Sequence, residues 1–126
     1  MKVDILRNEK IIAHLDNLSG NYVLDNFGVD SDCIWGISVK NRVIGYCTLA
    51  YAEGVIPNVG YNDLLLSDVY ILPEFRGRGY ITQFLKLVIK QVNAPIYAEI
   101  LHPQLVRVYH PLGFRLISNG LLYRPL

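Results

Sequence analysis

Between Leu72 and Val88 the chain reads LPEFRGRGYITQFLKLV, and the tetrad Arg76-Gly77-Arg78-Gly79 sits directly before an apolar run. Those residue types at that spacing suit the capture of an anion. Glycine lets the backbone approach a ligand that a Cβ would hold away. The first amides of a helix have no intrahelical partners, and the helix dipole favours negative charge beside them. A plain strand-to-helix turn needs one unusual backbone conformation, and two glycines flanked by Arg76 and Arg78 exceed that requirement.

Two other phosphate loops begin in a similar way. A dinucleotide-binding loop opens Gly-x-Gly, and Glu99 stands about twenty residues further on, where a ribose-binding acid belongs. Thr82, however, replaces the third glycine, and Pro73 to Arg76 separate the strand from the first one. The loop also starts at residue 77 of 126, behind an antiparallel meander, which leaves no room for a doubly wound sheet. No Gly-Lys-Ser/Thr follows, so a nucleoside-triphosphate P-loop is excluded.

Few other residues carry chemistry by type and spacing. Asp68 interrupts the apolar stretch LLLSDVYIL, where strict alternation places it on one face with Leu66 and Tyr70. A carboxylate in such a strand has either a structural partner or a function. His14, His102 and His110 share no ligand spacing with any Cys or Asp, so no metal is expected. Cys33 and Cys47 form no Cys-x-x-Cys pair, and Cys47 lacks the neighbouring His or Lys that lowers a thiol pKa.

The elements that must position these residues follow from periodicity. MKVDILRN alternates as a strand, and NEKIIAHLDNL has helical spacing behind Asn8 as cap. A second short helix is expected around Val23 to Phe27. CIWGISV and RVIGYCTLAYA read as strands joined by a tight turn at Lys40-Asn41-Arg42, and LLLSDVYIL as the third strand of a meander. Ile81, Phe84, Leu85, Val88 and Val92 mark the buried face of the helix after the tetrad, with Gln83, Lys86 and Lys90 opposite. APIYAEIL returns as a strand parallel to LLLSDVYIL, since a helix separates the two. HPQLVRVYHPLG is a short helix closing on Gly113, and FRLIS and LLYRPL form a hairpin around Asn119-Gly120. The result is one α/β (α+β) domain spanning residues 1–126, with a mixed sheet of about six to seven strands, mostly antiparallel with one parallel pair, and three to four helices.

Composition agrees with such a domain. Apolar residues make up 52% and charged residues 18%, so the chain can bury a core. A net charge of +1 argues against a nucleic-acid partner. No signal-peptide core or membrane span is read, which makes a cytoplasmic setting the expectation.

The segments DVYILPEFRGRGY, from Asp68 to Tyr80, and VYHPLGF, from Val108 to Phe114, together resemble the two signature segments of the GNAT superfamily of N-acetyltransferases. The resemblance covers nearly the whole chain and implies an acetyltransferase-like fold with acetyl-coenzyme A as cosubstrate. It implies that Arg76, Gly77, Arg78, Gly79, Tyr80, Ile81 and Thr82 surround the diphosphate, and that backbone groups of Ile71 and Leu72 pair with the pantetheine arm. Ile81 stands where the pattern has Gly or Ala, so its side chain either crowds the diphosphate or faces the core.

The implied reaction is direct attack of an amine on the thioester. An alkylammonium with a pKa of about 10.4 must first lose a proton, and a thiolate whose acid has a pKa of about 8.5 gains from a donor. By resemblance Tyr109 is the general acid and Glu99 the candidate base, with Asp68 the alternative. The acceptor is a small molecule, a lysine side chain or a protein N-terminus. The alternative to an enzyme is a coenzyme A-binding sensor or interaction module, and a homodimer is compatible with either.

Overall fold

The computed structural model describes residues 1–100 and 103–126. The expectation for His102 lies outside the described residues, as does the last residue of the strand APIYAEIL.

Strand β1 (Lys2–Ile5) leads into α1 (Glu9–Ser19), whose first turn is capped by the Asn8 side chain accepting from the Ile11 amide at 3.1 Å. Gly20, left-handed at φ 72°, ends that helix. The short α2 (Val23–Asn26) is held by the Asp16 carboxylate, which accepts from the amides of Val23 and Leu24 at 2.9 and 3.0 Å. Strands β2 (Ile34–Val39) and β3 (Arg42–Tyr51) are joined by Lys40 and Asn41, both at positive φ. That is the backbone a two-residue hairpin requires to match the twist of its strands.

Strand β4 (Leu64–Ile71) passes through a 3-10 turn at Pro73–Phe75 into α3 (Tyr80–Gln91), which crosses to β5 (Ile96–Glu99). Then come α4 (Val106–Tyr109), β6 (Arg115–Ser118) and β7 (Leu121–Arg124). The seven strands form one sheet in the order β1-β2-β3-β4-β5-β7-β6, and only β4 and β5 run parallel. The terminal hairpin inserts β7 beside β5 and leaves β6 at the edge. Ile12 and Leu15 of α1 and Phe84, Leu85 and Val88 of α3 are buried in one core with the sheet. Among the described residues no helix is long and apolar enough to cross a membrane.

Two irregularities in β4 create a place for a ligand. The parallel pairing with β5 covers only Leu64–Leu66 against Ile96–Ala98, while β4 continues to Ile71. Beyond Leu66 the two strands part. On its other side β4 carries a bulge, because Cys47 faces Val69 but Leu49 faces Leu66, so Ser67 and Asp68 together oppose Thr48. The extra residue shifts the alternation. Leu66 shares a face with Val69, and Asp68 lies with Tyr70 on the opposite one, which corrects the period-two placement of Asp68 beside Leu66.

Candidate active site

A cleft of about 520 Å³ opens where β4 and β5 part. Val69, Tyr70 and Ile71 form one wall, the turn from Phe75 to Thr82 the end, and Gln104, Leu105 and Val108 the far wall. Hydrogen-bond alternation decides which backbone groups face it. The Leu72 amide donates to the Ile44 carbonyl at 2.8 Å and its carbonyl accepts from Phe75 at 2.9 Å, so Leu72 is tied into the chain. Ile71, one residue earlier, turns its amide and carbonyl away from β3 and toward the split. Of the two backbone positions read from the sequence for this role, Ile71 is the one that faces the cleft.

Arg76 folds back over this edge. Its Nε donates to the Ile71 carbonyl at 2.8 Å, and its guanidinium lies 5.3 Å from the Tyr70 ring centroid. Gly77 and Gly79 then adopt φ 75° and 80°, a region that costs other residues roughly 1–2 kcal/mol. A Cβ added at either glycine would meet nothing within 4 Å, so backbone conformation explains them, not packing. The first helical bond runs from the Gln83 amide to Gly79, and α3 has no side-chain cap. Among the described residues the amides from Gly77 through Thr82 therefore have no partner in the chain. Consecutive unpaired amides at the start of a 12-residue helix attract an anion. Ile81 packs partly against the core and also lines the cleft.

None of the three candidate proton-transfer groups, Glu99, Asp68 and Tyr109, is among the residues that line the cleft. Glu99, half-buried, ends β5 one residue past the last β4–β5 pair and faces Leu121 on β7. Asp68 accepts from the Thr48 hydroxyl at 3.2 Å, and its own amide donates to the same oxygen at 3.0 Å. The buried threonine thus supplies the partner that the bulge removes from the ladder. Burial pushes the Asp68 carboxyl above its ordinary range, the Thr48 bond opposes this, and the charge of Asp16 adds to it. Tyr109 points into the core, with its ring 5.3 Å from Phe114, while the preceding Val108 lines the cleft. Burial pushes its phenol well above the ordinary value, so it holds its proton. Cys47 is buried and its thiol is likewise pushed up, which removes it as a thiolate nucleophile. Among the described residues no cluster of His, Cys, Asp and Glu could hold a metal.

Sequence reading missed Val69, Tyr70 and Phe75 as cleft residues. Phe75 had a signal in its place beside the tetrad, but Val69 is brought there by the bulge, which leaves none. Tyr46 is fully buried, and its hydroxyl meets Ser19 Oγ at 2.8 Å and Asn21 Nδ2 at 2.6 Å. Those bonds fasten the α1–α2 connection to β3, and burial pushes that phenol up to about 12.

The sequence model of the Acetyltransferase (GNAT) family matches residues 4–114. No curated protein sequence matches the chain. Among solved structures, an acetyltransferase of the GNAT family from Streptococcus agalactiae 2603 superposes with TM-score 0.74 at 13% identity, covering 99% of this chain and 95% of its own. The ribosomal-protein-S18-alanine N-acetyltransferase from Escherichia coli gives 0.71 at 13% identity, over 98% and 92%. A chain of the NatC complex bound to Gag peptide and CoA gives 0.69 at 16% identity, over 99% and 98%.

Proposed function

The chain belongs to the acetyltransferase (GNAT) family, and from that membership we propose that it transfers an acetyl group from acetyl-coenzyme A to a primary amine. The observation that carries the reading is the run of unpaired amides from Gly77 to Thr82, opening onto the split between β4 and β5. In this reading those amides hold the diphosphate, with Arg76, Arg78 and Tyr80 around it. The Ile71 amide on the free edge of β4 receives the pantetheine arm, and the thioester lies between the strands.

The acceptor ammonium first loses a proton to Glu99, directly or through water, with Asp68 as the alternative base. Its nitrogen lone pair then attacks the thioester carbonyl carbon to give a tetrahedral adduct. The C–S bond breaks, the thiolate takes a proton from the Tyr109 hydroxyl, and the excess proton on the nitrogen leaves through water and restores the phenol. Small-molecule amines, lysine side chains and peptide N-termini remain the acceptor classes. A peptide is bound in the NatC structure, which supports including the last of them.

The second reading is a coenzyme A-binding sensor or interaction module. The placement of Tyr109 among core residues, behind the cleft lining, is the observation in its favour. Release of free thiol from acetyl-coenzyme A with a panel of amines separates the two. Turnover with any amine supports the enzyme, whereas coenzyme binding without turnover across the panel selects the sensor.

A further inference from the structure

Two arginines outside the diphosphate loop's own backbone converge on one ring. Arg42, the first residue of β3, places its guanidinium carbon 5.4 Å from the Phe75 centroid, and Arg78 places its own at 5.7 Å. The edge of the Tyr80 ring closes the group, with the Phe75 and Tyr80 centroids 6.1 Å apart, and Phe75 itself lines the cleft. A planar guanidinium resting on an aromatic face keeps its N–H donors in plane and free for an anion.

The donors are uncommitted. Arg76 is occupied by the Ile71 carbonyl and the Tyr70 ring. Arg42 has one contact to Glu74, at 3.4 Å, and both side chains are 58% exposed. Such a pair exchanges readily for a better one. Arg78 has no ion pair among the described residues. Three arginines against one carboxylate make this corner locally cationic in a chain of net charge +1. In the reading above the neighbouring amides hold the diphosphate, which leaves the guanidinium donors of Arg42 and Arg78 able to meet a further anion beside it.

Coenzyme A carries a second anionic group one ribose away from its diphosphate, the 3′-phosphate, a monoester with charge of roughly −1.5 to −2 at neutral pH. We propose that Arg42 and Arg78, held on Phe75, form a separate subsite for that 3′-phosphate. The inference rests on the acetyl-coenzyme A reading above. It adds that this chain selects the 3′-phosphorylated form through two named side chains.

Calorimetric titration of coenzyme A and 3′-dephospho-coenzyme A into the wild-type chain and the Arg42→Gln/Arg78→Gln variant tests it. Glutamine keeps part of each side-chain stem on the ring. Wild type is expected to bind the 3′-phosphorylated form about tenfold or more tightly, as two charge-assisted contacts imply. The double variant should bind the two forms within about twofold of each other, whatever affinity for the shared diphosphate it retains. The single Arg78→Gln, which breaks no ion pair, should lose part of the preference and serves if the double variant folds poorly. Equal binding of both forms by wild type, or a preference that survives the double substitution, overturns the subsite while leaving the acetyltransferase reading intact. Failure of wild type to bind either form overturns both.

Discussion

The Nε of Arg76 donates to the carbonyl oxygen of Ile71 at 2.8 Å, joining the glycine turn to the free edge of β4. Ile71 is also the residue whose amide faces the split, so one side chain fixes both the turn and the strand edge of the cleft. Its guanidinium rests on Tyr70, whose ring lies 5.8 Å from that of the buried Tyr46. The cleft is thereby built from the core outward.

Arg76→Ala should therefore weaken coenzyme A binding by about tenfold or more, since both a cation and the shape of the turn are lost. Arg76→Lys should restore little of it, because an ammonium lacks the planar fork that bonds and stacks at once. The stabilisation of the melting temperature by coenzyme A, which follows affinity by mass action, reads both variants. Retention of the full shift in Arg76→Ala would remove this residue from the site.

Gly79 and Gly20 make a matched pair. Both are left-handed, at φ 80° and 72°, and neither has an atom within 4 Å of an added Cβ. Alanine at either position should cost roughly 1–2 kcal/mol of stability through backbone strain. If the Gly77–Thr82 amides hold the diphosphate, only Gly79→Ala should also lower coenzyme A affinity. Equal affinity losses in the two variants would mean that strain alone explains both glycines.

What sequence reading reached, and what it did not, divides along the range of the interactions. Asn8, Lys40-Asn41 and Gly113 act on their own few residues, and each turn or cap fell where its chemistry placed it. The glycine turn was legible for the same reason. The bulge at Ser67-Asp68 is different, since it depends on Thr48 in another strand offering its hydroxyl to the unpaired amide. Period-two reasoning has no access to that partner, and so it put Leu66 on the face that Asp68 shares with Tyr70. The hydrogen bonds of Tyr46 were out of reach for the same reason, because they depend on Ser19 and Asn21 in another element.

Asp68 gives a pH test with a definite sign. Burial raises its folded pKa above the ordinary 3.8, so the folded chain binds the proton more tightly than the unfolded one. The stability this contributes is complete below the unfolded value and is lost as pH rises through the folded value. Asp68→Asn keeps an oxygen for Thr48 but cannot ionise. Its stability relative to wild type should therefore increase from about pH 4 to pH 7 in denaturant titrations at each pH. A constant difference across that range would show that Asp68 does not titrate as the geometry implies.

The same variant is the control for Glu99. If Glu99 is the base, the acidic limb of the profile of kcat/KM against pH should shift or vanish in Glu99→Gln and persist in Asp68→Asn. The reverse pattern assigns the role to Asp68, and persistence in both leaves deprotonation to water.

Tyr109→Phe separates catalysis from packing at the position where the two readings of function disagree. The ring sits 5.3 Å from Phe114 in the core, and phenylalanine preserves that contact. Stability and coenzyme A affinity should change little, while kcat should fall by about 10²-fold or more if the hydroxyl protonates the departing thiolate. Because burial holds the phenol above its ordinary 10.0, no alkaline decline in kcat from this group is expected below about pH 10. The linked stability runs the same way, present below the unfolded pKa and lost only as pH rises through the higher folded one. Unchanged kcat in Tyr109→Phe would take the acid role from this tyrosine. Its resemblance to a catalytic residue would then reflect only the packing of α4 against Phe114.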